Sequence, residues 1–471
     1  MTDIHDLDAA ALAAAYRARA LSPVEATRHL IARRDAMEPA IRAFTHVDDD
    51  AALAAARASE ARWRAGAALG PVDGVPATIK ENVAVAGWPS ARGSVALESP
   101  PYEDDAPATM RLREAGAVLL GQTAMPEFGW KGLGDSPAHG VTRNPYDLAR
   151  SPGGSSAGAA AAAALGIGVL HIGTDGLGSV RIPCAFTGLP GLKPTSGRVP
   201  AWPASPMGLL AILGPMARSL ADVALLFELM ARPDDRDSLA TTEAAPAARA
   251  GLEAGVRGLR AAWSPRLGYV VGLDPRIEAA CEAALAPLQA AGLAIEARDP
   301  GFADPIDLCN VFWHAGSATV LRKIPESRWD MCDPGFLRGA QAGMALPAVR
   351  YAEAIAERAS FVEAMRRFHE RFDFLITPTM PIPAVPIGAD LPPGWAHGTD
   401  WTSWSPYTYP FNLSGQPAVT VPVGLTEDGL PIGLQIVGRR GEDVRVLATA
   451  RVIEAAIAYV HPDTPRGMPL A

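Results

Sequence analysis

Ser151-Pro-Gly-Gly-Ser-Ser-Ala-Gly158 and Gly173-Thr-Asp-Gly-Leu-Gly-Ser-Val-Arg-Ile-Pro183 enclose an alanine-rich run, and Gly191-Leu-Lys-Pro-Thr195 follows closely. Between the two Gly/Ser loops the pattern predicts one small-residue helix, Ser156 to Leu165, and one strand, Gly168 to Gly173. A short helix is expected to open at Ser179. Loop, helix, strand, loop is an arrangement that can bring serines of both loops to the same end of a sheet. Glycine-rich backbone also exposes N–H groups, which an oxyanion site requires.

Outward from this centre the chain alternates β and α signals. Val75–Ile79 reads as a strand that delivers Lys80 at its end, followed by a helix at Met110–Ala115 and a buried strand at Ala117–Gly121. Residues 7–65 have helical periodicity, and Ser22-Pro23-Val24-Glu25 has the form of an N-cap, a proline at N1 and a first-turn acid. After an amphipathic helix at Ser219–Met230, the polar, then alanine-rich stretch 233–258 is a candidate lobe boundary. Beyond it the reading is a strand at Leu259–Trp263, a helix over Pro275–Ala291 and a strand at Ala294–Ala297. A long helix from Ala348 to Arg371 precedes a strand at Phe374–Thr377. Two strands, Val419–Pro422 and Gly433–Val437, pair around the Glu427-Asp428-Gly429 turn, and a last helix covers Glu442 to Ile457. The expected architecture is α/β: one domain over 1–471, with a helical N-terminal segment at about 1–65.

Composition narrows the function classes. Of 471 residues, 49% are hydrophobic and 20% charged, enough for a large core, and the net charge of −9 without a Lys/Arg block speaks against nucleic acid as a partner. The four cysteines, Cys184, Cys281, Cys309 and Cys332, form no C-x-x-C pair, and His139, His171 and His314 have no ligand-like spacing to them. Neither a metal site nor a disulfide is expected, and reduced thiols point to the cytoplasm. Met1–Ala20 does not read as a signal peptide, and Ser151–Thr174 is too weakly apolar to span a bilayer.

The two loops, with Val72-Asp-Gly-Val-Pro-Ala-Thr-Ile-Lys-Glu-Asn82 upstream, resemble the amidase signature family. The resemblance extends through Met125-Pro-Glu-Phe-Gly129, Gly140-Val-Thr-Arg-Asn-Pro145, Ile376-Thr-Pro-Thr379 and Asn412-Leu-Ser-Gly-Gln-Pro417. It implies the family's fold, a central mixed β-sheet covered by helices on both faces, and a cofactor-free hydrolase that cleaves amide-type bonds through an acyl-enzyme. Ser179 resembles the nucleophile, Ser155 the bridging serine, usually preceded by a cis peptide, and Lys80 the terminal base. The N–H groups of Gly176, Leu177, Gly178 and Ser179 correspond to the oxyanion hole, with Asp175 and Arg181 as loop supports.

The physics of such a relay is coherent. A serine hydroxyl needs a neighbouring base. Lysine, with a reference pKa of about 10.4, becomes one when desolvated, as at the end of a buried strand. A competing pattern, Gly154-Ser155-Ser156-Ala157-Gly158, matches the G-x-S-x-G nucleophile elbow and would make Ser156 the nucleophile. It needs a histidine partner, and His314, His369, His397 and His461 stand in no motif.

The substrate is expected to be a small amide, anilide, aryl ester or carbamate, bound by a monomer or homodimer with no membrane partner. Aromatic residues crowd 395–411, and Trp401, Trp404 and Tyr409, with Trp130, are candidates for the pocket wall; Trp202 and Met207 extend it. Members of the family that serve as glutaminase subunits of tRNA-dependent amidotransferases usually carry an acid where this chain has Pro126, so that reading is the alternative. A second alternative, a catalytically impaired binding protein, arises because Leu177 replaces the glycine usual at its position. With negative φ, Leu177 keeps its N–H donor and greases the pocket mouth; with positive φ the loop carries roughly 1–2 kcal/mol of strain.

Overall fold

The computed structural model describes residues 3–468, so Met1 and Thr2 of the N-terminal segment lie outside the described residues. Eleven strands form one mixed sheet. In spatial order they are Phe44–His46, Val118–Thr123, Pro76–Lys80, Leu170–Asp175, Ile212–Met216, Gly191–Lys193, Ala418–Leu425, Pro431–Gly438, Phe374–Pro378, Arg260–Trp263 and Ala294–Ala297. Pro76–Lys80 pairs in parallel with both of its neighbours, whereas the six strands from Leu170–Asp175 to Phe374–Pro378 are joined by antiparallel ladders.

Period-two alternation divides the core between the two faces. Ala77, Ile79, Leu170, Ile172, Val419, Val421, Leu434, Ile436 and Ile376 enter one large cluster with Leu220, Val223 and Phe227 and with Leu447 and Ile453 of two helices. On the other face, Leu375, Ala262, Ala418 and Val437 pack with Tyr407 and Phe411. There the Ala157–Ala164 helix presses against Val180 and Cys184. Helices therefore cover both sides, and the stretch 233–258 separates no second sheet: Ala248, Leu252 and Val256 are buried in the large cluster.

Local rules account for most element ends. Ser22 and Glu25 close a reciprocal capping box over the Pro23–Ile41 helix. Ser219 caps Leu220–Met230. One expected helix is two: Pro275–Ala283 and Leu285–Ala290 break at Ala284, because Pro287 lacks the N–H that would continue the first helix and its ring crowds the turn before it. Two helices at Ile306–Leu321 and Pro334–Met344 occupy a stretch for which the sequence pattern suggests no element. The first is buried on several sides, so it shows no clean amphipathic stripe, and Pro305 offers no side-chain cap.

Candidate active site

Lys80, the final residue of a strand whose five residues are all buried, has no solvent exposure. Alternation turns it and Thr78 away from the face taken by Ala77 and Ile79, toward the side where the Ala157–Ala164 helix starts. The peptide bond between Gly154 and Ser155 is cis. Lys80 Nζ lies 2.7 Å from Ser155 Oγ, 3.0 Å from Ser156 Oγ and 2.9 Å from Thr174 Oγ1. Thr174 Oγ1 also accepts from Asn82 Nδ2 at 3.1 Å, and Ser156 Oγ donates to the Thr174 carbonyl at 3.2 Å.

Burial holds the Lys80 amine well below lysine's ordinary 10.5, against the opposing pull of the Asp175 charge. Asp175 lies at about 2 despite its burial, because Arg181 pairs with it by charge and hydrogen bond. That pair has no exposure on either side chain; Arg181 Nε sits 3.0 Å from Asp175 Oδ2. Arg181 also donates to the Thr408 carbonyl at 2.9 Å, Gln435 Oε1 at 2.8 Å and Asn412 Oδ1 at 2.6 Å. Asn412 Nδ2 in turn donates to Asp175 Oδ1 at 2.9 Å. Asp175 and Arg181 thus anchor the second Gly/Ser loop to the Tyr409–Leu413 helix and to the Pro431–Gly438 strand.

Ser179 sits two residues before the Arg181–Thr187 helix and is 4% exposed. Its carbonyl accepts from Ser156 N–H at 3.1 Å, which ties the two loops together. Its hydroxyl makes no hydrogen bond among the described residues, so Lys80 to Ser155 is closed and Ser155 to Ser179 is not. Of the four N–H groups expected to face an oxyanion, that of Gly178 is committed elsewhere: it donates to Asp175 Oδ1 at 2.7 Å. A carboxylate with an Arg partner is a stronger acceptor than a neutral substrate carbonyl, which is why that donor turns inward. Those of Gly176, Leu177 and Ser179 have no acceptor among the described residues.

Leu177 is not among the residues with positive φ, so the loop carries no left-handed strain there. It does not grease a pocket mouth, however: it is fully buried in an apolar cluster with Trp313 and Ile182. The special backbone belongs to Gly178, at φ +127°, where a Cβ would meet Thr408 Oγ1 at 2.4 Å.

The aromatic residues of 395–411 are sorted into different roles. Trp404 is fully buried, stacked on Phe186 at 6.1 Å and donating from Nε1 to the Asp390 carbonyl at 2.8 Å, so it is core rather than wall. Tyr407 and Phe411 join the cluster on the far strands. Tyr409 is tied through its hydroxyl to Asp304 at 2.7 Å. Trp202 leaves the group, its ring lying under the Arg236 guanidinium at 4.9 Å. Trp130, Trp401 and Met207 share with Trp404 and Tyr409 the cluster that contains Leu177. Ser156, the nucleophile of the competing pattern, is fully buried at a helix start, and one of the histidines that pattern could use, His369, is bonded to the Phe372 carbonyl and Gln416.

Two residues of the site escape sequence reasoning. Thr174 reaches Lys80 from the neighbouring parallel strand, and a lone threonine in a strand carries no signal. Trp313, on the Ile306–Leu321 helix, covers the second Gly/Ser loop so closely that a Cβ on Gly176 would meet its ring at 2.8 Å. The one group of three metal-ligating side chains among the described residues, Asp3, His5 and Asp6, lies at the start of the chain on none of these elements.

The Amidase family model matches residues 25–447. An acylamidase of Rhodococcus erythropolis is 36% identical over 463 residues, covering 96% of each chain. A glutamyl-tRNA(Gln) amidotransferase subunit of Chloroflexus aggregans is 37% identical over 479 residues, covering 95% of this chain and 96% of its own. The crystal structure of a bacterial aryl acylamidase of the amidase signature family superposes with a TM-score of 0.91 over the whole of both chains, at 29% identity. A sheet of this order, a buried strand-end lysine against a serine after a cis peptide, and matches along nearly the whole chain lead to one conclusion: this chain belongs to the amidase signature family, hydrolases of amide-type carbon–nitrogen bonds.

Proposed function

We propose that the chain hydrolyses aryl amides and related acyl compounds through an acyl-enzyme on Ser179, with Ser155 as the bridging hydroxyl and Lys80 as the base. The observation that carries this reading is the 2.7 Å approach of the buried Lys80 amine to Ser155 Oγ. A neutral lysine has two N–H donors and one lone pair. Thr174 Oγ1 and Ser156 Oγ are placed to accept the two N–H bonds, since the Ser156 proton is already directed to a carbonyl. The lone pair is left for the proton of Ser155.

Ser155 then takes the proton of Ser179 as the latter attacks the substrate carbonyl. The N–H groups of Gly176, Leu177 and Ser179 receive the developing oxyanion. Reversal of the same transfer protonates the leaving amine, and water deacylates the serine by the same route. The gap between Ser155 and Ser179 closes when substrate is bound, as such hydrogen bonds tighten in the reacting complex. Esters and carbamates with aryl leaving groups fall within the same chemistry. The four cysteines are free and buried, as suits a reducing, cytoplasmic setting.

A glutaminase reading draws support from the likeness to the amidotransferase protein of Chloroflexus aggregans. Pro126 and the Trp130–Trp313–Trp401 surroundings favour flat apolar substrates over glutamine. The deciding experiment is a hydrolysis panel of anilides, aliphatic amides, aryl esters, aryl carbamates and glutamine. Anilides or aryl esters should exceed glutamine in kcat/KM by at least about a hundredfold. Efficient glutamine turnover would reverse the assignment.

A further inference from the structure

We infer that Asn82 is a positioning residue for the base: its amide N–H occupies Thr174 Oγ1 and so limits how well that oxygen can hold the protonated form of Lys80. The inference rests on the acyl-enzyme reading above, which makes Lys80 the group that must lose a proton. Three hydroxyl oxygens surround Lys80 Nζ, those of Ser155, Ser156 and Thr174, at 2.7, 3.0 and 2.9 Å. An ammonium has three N–H donors, so this cage suits the inactive, protonated lysine as well as the neutral one. Burial is the first contribution that tilts the balance.

Thr174 supplies the second. Among the described residues, its Oγ1 is the one oxygen of the three bonded to another side chain besides Lys80: Asn82 Nδ2 donates to it at 3.1 Å. Thr174 is also the one partner of that amide, since Asn82 Oδ1 bonds nothing among the described residues. The amide therefore commits its hydrogen bonding to the oxygen beside the base. An oxygen that already accepts one N–H is a weaker acceptor for the next. The positive end of the Asn82 N–H dipole also points toward Thr174 and the amine behind it, which opposes a positive charge there.

The charged and titratable groups around Lys80 do not supply this control. Asp175 pulls toward the ammonium, and Arg181 neutralises it. Glu81, next in sequence, turns its carboxylate to Gly93 N–H at 3.1 Å and to His139 Nε2 at 3.1 Å. His171 bonds Thr78, on the same strand face as Lys80, at 2.8 Å and is held down to about 4 by burial, so it is uncharged at neutral pH.

The test is the acid limb of the pH–kcat/KM profile on one anilide. It is measured for wild type, Asn82→Asp and Asn82→Ala, and for Thr174→Val with and without Asn82→Ala. The carboxylate introduced by Asn82→Asp accepts the Thr174 proton and stands within the roughly 4–6 Å over which an opposite charge favours the ammonium. The midpoint should therefore rise by about one pH unit or more, with turnover largely recovered on the alkaline side. Asn82→Ala should raise it by about half a unit, a fraction of one hydrogen bond, and should add nothing in the Thr174→Val background. An asparagine that only supports the fold would lower turnover at every pH and leave the midpoint in place. That result in either variant overturns the inference, and so does an Asn82→Ala shift undiminished in Thr174→Val. Asn82→Asp keeps the shape of a partly exposed side chain, and should one variant at this position fail to fold, the other decides. A wild-type profile without an acid limb would instead overturn Lys80 as the base, and this inference with it; a limb that is present but unmoved removes Asn82 alone.

Discussion

Four serine hydroxyls lie within the two loops; Ser151 accepts from Gly153 N–H, and the surroundings of the other three, not their motifs, distinguish them. Ser156 is held between Lys80 and the Thr174 carbonyl, Ser155 faces Lys80, and Ser179 has a hydroxyl without a partner among the described residues. Ser179→Ala should therefore abolish covalent labelling by a fluorophosphonate, read as the loss of one mass adduct, while Ser156→Ala keeps it. An adduct that persists in the first variant and disappears in the second would move the nucleophile to Ser156. Lys80→Ala should lower turnover by about a thousandfold or more, as disruption of a relay does, and near-wild-type turnover would remove Lys80 from the mechanism. Since burial lowers the Lys80 pKa, the neutral, active amine persists below the ordinary 10.5. Activity is then lost as pH falls through the folded-state value and rises on the alkaline side. A pH–kcat/KM profile without an acid limb would contradict this. Leu177 belongs to the same scale but to stability: fully buried, it should cost about 2–5 kcal/mol when cut to glycine, measured as a shift in denaturation midpoint.

Among the elements, the second Gly/Ser loop is held by a buried ion pair rather than by its own turns. Asp175 accepts from Gly178 N–H and Val180 N–H and pairs with Arg181, so one carboxylate shapes the loop on both sides of Ser179. Removing one partner leaves the other charge buried and alone, and Asp175→Asn should destabilise the fold by about 3–5 kcal/mol. The carboxylate's pKa is depressed to about 2, from an ordinary 3.8. Its contribution to stability is thus complete above the ordinary value and is lost as pH falls from about 4 through about 2. Chemical denaturation of wild type and Asp175→Asn across that range checks the sign: the difference between them should shrink on acidification. A constant difference would assign the anchoring to Arg181's other partners, Thr408, Gln435 and Asn412.

At the scale of the molecule, what sequence and what tertiary structure decide can be separated residue by residue. The sequence alone determines the family, the strand ending at Lys80, the small-residue helix between two loops, and the Ser22–Glu25 cap. These depend on turn chemistry and hydrophobic period, which act over a few neighbouring residues and are written in order along the chain. Pro287, which divides a helix, acts just as locally, through its missing N–H and its ring. Tertiary structure alone decides that Thr174 and Asn82 serve Lys80, that Gly178 gives its N–H to Asp175, and that Trp404 is core while Trp313 lies against Gly176 of the second Gly/Ser loop. Trp313 and Gly176 are joined only by packing, and nothing local to either reports it. An aromatic residue's periodic signal is the same whether it borders a core or a substrate, and a backbone N–H has no sequence signature. Which donors stay free is settled only when the whole sheet and its covering helices have closed around them.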